Sequence, residues 1–180
     1  MRNCGRQVMC QDGVMASADI ELDSVEWLST GTVGPPGKRV FYIQARQGSE
    51  RVTLQVEKAH VLNIAERVGE LLTDLELLPR AAGDMELSEP IQANWTVGEV
   101  GLGYVTERGQ FVLVARELTS ESDRPPRLAR LWLSPALAHA FAERARQVVA
   151  GGRPVCGRCG FPIDVSGHPC PALNGSRPIS

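Results

Sequence analysis

Apolar and polar residues alternate from Val52 to Glu57, where Val52, Leu54 and Val56 fall on one side of an extended chain. That is the pattern of a half-buried strand. From Ala59 the period changes: Val61, Ala65, Val68, Leu72 and Leu75 recur at helical spacing, with Ile64, Leu71 and Leu78 widening the stripe. An amphipathic helix is predicted there, ending just before Pro79. Upstream, Val25 to Val33 and Arg39 to Arg46 read as two strands joined by the tight turn Gly34-Pro35-Pro36-Gly37.

The same order returns in the second half. A strand is predicted from Trp95 to Thr106, a turn at Arg108-Gly109, and strands at Phe111 to Arg116 and Leu128 to Leu133. Ser134 is a natural N-cap, Pro135 suits the first helical position, and Gly151 is a stop, so a helix is predicted between them. Phe41 to Arg46 can be laid on Phe111 to Arg116, and Leu54 to Arg67 on Leu131 to Arg144, matching Ala65-Glu66-Arg67 with Ala142-Glu143-Arg144. The expected fold class is α+β: a duplicated strand-strand-strand-helix unit, with an antiparallel sheet covered by helices about an internal pseudo-axis. Residues 19–152 would form this body, with units at about 25–78 and 91–150. Residues 1–18, which include Cys4 and Cys10, show neither period and read as a disordered leader, with Met15 as an alternative start.

A chain of 180 residues with 43% apolar and 22% charged residues and a mean hydropathy of -0.12 suits a globular domain with its own core. Of its 19 basic and 21 acidic residues, 8 basic and only 2 acidic fall in residues 124–180, so an acidic body leads into a basic end. With no apolar stretch of membrane-spanning length and no signal-like start, a cytoplasmic location is expected, where thiols stay reduced and clustered cysteines serve metals. The sequons at Asn94 and Asn174 then carry no meaning.

Three cysteines fall close together near the end. Cys156-Gly157-Arg158-Cys159-Gly160 has the two-residue spacing that turns both thiolates onto one ion, and His168 and Cys170, two apart in extended chain, can reach the same ion. Cys156, Cys159, His168 and Cys170 thus form a candidate tetrahedral site for a structural zinc ion, with Asp164 or a water as alternatives to His168. Residues 153–180 carry too few apolar groups to fold by burial, whereas zinc supplies on the order of 10 kcal/mol to such a knuckle.

These residues, together with Gly31-Thr32-Val33-Gly34, Phe41-Tyr42-Ile43-Gln44-Ala45-Arg46, Gly152-Arg153-Pro154, Pro162-Ile163-Asp164, Gly167-His168-Pro169-Cys170-Pro171 and Asn174-Gly175, resemble the bacterial domain-of-unknown-function family 3090, found mainly in actinobacteria. The resemblance covers about residues 20 to 175 and implies a metal-binding ending but no known activity. A basic residue often follows the family's final Cys-Pro; here Ala172 stands there.

Other motifs point away from catalysis. Gly31 to Lys38 has the wrong glycine spacing for a phosphate loop, has Arg39 in place of Ser or Thr, and precedes a strand, so it reads as a hairpin turn. Gly98 to Gly103 has the wrong order for a dinucleotide fingerprint and suits a strand bulge. His60 and His139, near the helix starts, and Glu66 and Glu143 read as surface groups. The expected function is therefore a zinc-stabilised binding or scaffold protein with a protein partner. The alternative is an enzyme, or enzyme partner, that handles a phosphorylated small molecule through Arg46 and Arg116, matched at the two strand ends. A second alternative is nucleic-acid binding through Arg124, Arg127, Arg130, Arg144, Arg146, Arg153 and Arg158.

Overall fold

In the computed structural model, which describes residues 19–35, 37–77, 86–119, 124–151, 156–159, 163 and 170, the six expected strands and two helices form, and a short seventh strand joins them. The strands are β1 (Ile20–Leu22), β2 (Trp27–Val33), β3 (Val40–Gln47), β4 (Glu50–Val56), β5 (Trp95–Val105), β6 (Gln110–Glu117) and β7 (Leu128–Leu133). The helices are α1 (Lys58–Asp74) and α2 (Pro135–Ala150). Residues 1–18, expected to be a disordered leader, and most of the tail after Gly151 lie outside the described residues.

Helix α2 has the predicted bounds because its signals are local. Ser134 Oγ accepts from the Leu137 amide at 3.2 Å, Pro135 follows, and Gly151 caps the end; such an N-cap contributes about 1 kcal/mol. Helix α1 stops at Asp74, several residues short of Pro79. Its end is a Schellman turn: Leu77 N–H donates to Leu72 O and Glu76 N–H to Thr73 O, with Glu76 at φ 52°. Glycine usually occupies that position. With Glu there, nothing local in the sequence marked the stop.

The sheet order is β1-β7-β6-β5-β4-β3-β2, and it is mixed. The expectation of an antiparallel sheet is corrected here: β4 pairs with β5, and β1 with β7, in parallel. The reason is α1, which carries the chain back along the sheet, so that β5 enters in the direction of β4, as in any β-α-β crossover. Within each unit the ladders are antiparallel and their registers correspond. Phe41 faces Val56 as Phe111 faces Leu133, and Val33 faces Val40 as Val105 faces Gln110.

β1 and β2 are consecutive in the chain but lie at opposite ends of the strand order. Six strand spacings in a flat sheet span about 29 Å, whereas the five Cα steps from Leu22 to Trp27 reach at most about 18 Å. The sheet must therefore roll. Residues between its edges join them: Val25 N–H donates to Trp132 O, and Glu26 N–H to Arg46 O.

One face of the rolled sheet, including Leu28, Ile43, Leu54, Phe111, Leu113 and Leu131, merges with the stripes of both helices into a single apolar cluster. α1 packs on β5 and α2 on β2, each on the unit other than its own. The helices run antiparallel, since Arg146 of α2 reaches Ala65 O of α1 while His139 lies beside Leu72 and Leu77. On the other face, residues 86–94 cross β2 to β4 as a strap. Gln44, fully buried, accepts from Ser88 N–H at 2.7 Å and donates to Ser88 O at 3.0 Å and to Thr53 Oγ1 at 3.2 Å. Asn94 Oδ1 accepts from Thr53 N–H at 2.8 Å, and Leu87 lies on Gly31.

Candidate functional site

After α2 the chain brings three of the four predicted metal ligands together. The sulfurs of Cys156, Cys159 and Cys170 all lie within 4.8 Å of one another, and Cys156 and Cys170 are buried. His168, like Asp164, Cys4 and Cys10, lies outside the described residues. The Cys156 to Cys170 sulfur distance is 3.9 Å. A disulfide needs about 2.05 Å. Two thiolates on one tetrahedral zinc, each at about 2.3 Å, stand about 3.8 Å apart, which the observed edge matches. The Cys156 thiol is lowered below its ordinary value, first by the Arg158 backbone N–H and next by that of Cys159, while burial opposes the shift. The Cys159 and Cys170 side chains lower it further. Amides aimed at a sulfur favour thiolate, the form that binds metal. The donor set, its spacing and its electrostatics fit a soft divalent ion.

The two arginines expected at a ligand site do not meet. Arg46 and Arg116 lie on β3 and β6, with β4 and β5 between them in the order, and their surroundings differ. Arg116 faces Glu99 across the ladder and pairs with it at 3.7 Å. Arg46 instead lies 5.9 Å over the ring of Trp27 and stands directly opposite Arg51. With Gly48, Ser49 and Ser88 these three residues line a cavity of about 540 Å³. Trp27, Arg51 and Ser88 carry no motif. Arg51 was nonetheless readable: the turn at Gly48-Ser49 puts residues 47 and 50 opposite each other, and so 46 and 51.

The histidines are also separated. His60 Nδ1 accepts from Glu57 N–H at 3.4 Å, which makes it a capping residue at the start of α1. His139 lies at the other end of the helix pair, in a groove of about 600 Å³ with Leu72, Glu143 and Arg146. Gly34 to Lys38 is the β2–β3 hairpin turn, with Gly34 at φ 108° and Gly37 at φ 89°, and the strand irregularity of β5 falls at Gly98.

Most arginines of the basic end are engaged within the fold. Arg124 and Arg127 hold Glu117, Arg130 holds Glu21 at 3.0 Å, Arg146 holds Glu143, and Arg144 donates to Thr30 O. Arg127 also stacks on Trp95 at 4.8 Å. The Arg127 guanidinium is the main reason that Glu117 sits at about 2 instead of 4.5; burial works against it, and the Arg127 amide and Arg124 reinforce it. Arg158 is exposed, and Arg153 lies outside the described residues.

The model of a family described as a protein of unknown function (DUF3090) matches residues 20–170. The chain belongs to the DUF3090 family. No curated protein and no solved structure matches it. The matched span runs from β1 to Cys170, so the rolled sheet, the helix pair and all three clustered thiols are features of a DUF3090 chain. No helix among the described residues is long and apolar enough to cross a membrane.

Proposed function

We propose that this DUF3090 protein is a cytoplasmic binding protein whose C-terminal knuckle is folded by a structural zinc ion held by Cys156, Cys159, Cys170 and His168. The observation that carries the reading is the three-thiol cluster, with an edge of 3.9 Å and two backbone amides directed at Cys156. Four protein ligands close the coordination shell and leave no position for a substrate, which favours a structural role. When bound, the ion supplies the folding free energy that the sparse apolar groups of the tail lack. We read the two strand-strand-strand-helix units as products of an internal duplication, supported by their matched ladder registers and by the reciprocal packing of α1 on β5 and α2 on β2.

Metal analysis of the purified protein tests this. One equivalent of zinc in the wild type, and a large loss in Cys159→Ser, is the expected result. Metal-free protein with an unchanged thermal transition would defeat it. The phosphorylated-ligand reading draws support from Arg46 but not from Arg116, whose charge Glu99 partly neutralises. The nucleic-acid reading has Arg158 left, since its other described arginines face carboxylates or carbonyls. A salt-insensitive or absent interaction with DNA would close it.

A further inference from the structure

We propose that the cavity at the β3–β4 hairpin is an anion site for a small organic phosphate monoester, with Arg46 and Arg51 as its two cations. It shares no residue with the thiol cluster, so the two sites fail or succeed separately.

The first observation is an unfavourable pairing that the fold keeps. Arg46 and Arg51 are cross-strand partners at the narrow end of a hairpin, so their side chains leave the same face side by side. Like charges directly opposite each other destabilise a sheet. Among the described residues no carboxylate lies within ion-pair distance of either guanidinium. Arg46 has the Trp27 ring, and Arg51 donates to Ser88 Oγ at 3.5 Å and Glu89 O at 3.2 Å. Glu26 is taken up by the turn, accepting from Gly48 N–H at 3.2 Å, and neither it nor Glu50, the acid on the turn itself, is part of the cavity lining. Two guanidiniums with several N–H donors each match the oxygens of a phosphate, and the hydroxyls of Ser49 and Ser88 add further donors.

The second observation is an internal control. By ladder register, Trp27, Arg46 and Arg51 of the first unit correspond to Glu99, Arg116 and Leu128 of the second. There the arginine has a carboxylate on one side and an apolar residue on the other. In the first unit both are replaced, one by a second cation and one by an aromatic ring. The same backbone thus carries an arginine faced by a carboxylate in one half and an uncompensated pair in the other. Trp27 is half-buried beside the pair and offers a flat apolar surface to the organic part of the ester. The strap fixes the far wall, because Gln44 bonds both backbone groups of Ser88.

The test is titration calorimetry of the purified full-length protein with glycerol 3-phosphate and phenyl phosphate, and cosedimentation with vesicles carrying phosphatidic acid. Arg51→Leu copies the residue at the matching position of the second unit, and Arg46→Gln is read in parallel in case either variant folds poorly by circular dichroism. Both should weaken binding about tenfold or more, the effect of losing a charged hydrogen bond. Arg116→Leu should bind as the wild type does. Phenyl phosphate should bind more tightly than glycerol 3-phosphate, and Trp27→Ala should abolish that preference. Binding of the soluble esters assigns the site to a free metabolite; binding of vesicles alone, lost in Arg51→Leu, assigns it to a lipid headgroup. The proposal is overturned if no phosphate binds at tens of millimolar, if folded Arg51→Leu and Arg46→Gln bind like the wild type, or if Arg116→Leu weakens binding equally.

Discussion

Gln44→Leu isolates the anchor of the strap. The side chain is fully buried on the sheet face away from the helices, and leucine has nearly its volume, so the change removes hydrogen bonds without opening a large cavity. Three bonds are lost: Ser88 N–H to Oε1 at 2.7 Å, and Nε2 to Ser88 O at 3.0 Å and to Thr53 Oγ1 at 3.2 Å. At about 1 kcal/mol each the loss is about 3 kcal/mol, and somewhat less if the strap lifts and water reaches Ser88. For a chain of this size, that lowers the thermal midpoint by about 6 to 12 °C. Gln55→Leu, on the same face of β4 and half-buried, is the control and should shift stability by no more than about 0.5 kcal/mol. Circular dichroism melts give the midpoint, and limited proteolysis with mass spectrometry finds the cleavage sites. Faster cleavage within residues 86–94 is expected in Gln44→Leu alone. A midpoint within about 2 °C of the wild type, or unchanged cleavage there, would refute the idea that Gln44 holds the strap.

Two further outcomes follow from particular contacts. A Cβ on Gly31 would sit 2.7 Å from Leu87 Cγ, so Gly31→Ala should cost about 1 to 3 kcal/mol; adding Leu87→Ala should recover part of it in a double-mutant cycle. Glu117 is held at about 2 by Arg127 and Arg124, below its ordinary 4.5. A carboxylate whose folded value is depressed contributes stability that is complete above its unfolded value and is lost as pH falls toward the folded one. Melts between about pH 5 and pH 2 should therefore show a decline that is shallower in Glu117→Gln; an identical decline in both proteins would contradict the assignment.

What could be read along the chain was what depends on near neighbours. The bounds of α2 followed from Ser134, Pro135 and Gly151, each acting within a turn or two, and the strands followed from side-chain alternation. The two-residue spacing of Cys156 and Cys159 announced the thiol cluster because a knuckle is itself a local turn. The short strand β1 leaves no such mark: Ile20-Glu21-Leu22 is too brief for a period to show, and its partner, β7, lies more than a hundred residues away. The end of α1 carries no local signal, because Glu76 holds a conformation that glycine usually marks.

The sequence by itself determined the elements, their repeated order and the thiol spacing, because each of these is set by interactions between residues close in the chain. Tertiary structure alone decided the parallel pairings, the rolling of the sheet, and the strap that Gln44 ties down. It also decided that Arg46 meets Trp27 while its counterpart Arg116 meets Glu99 and Leu128. Strand order and closure arise from contacts between distant segments, and periodicity does not encode which edge a strand will join.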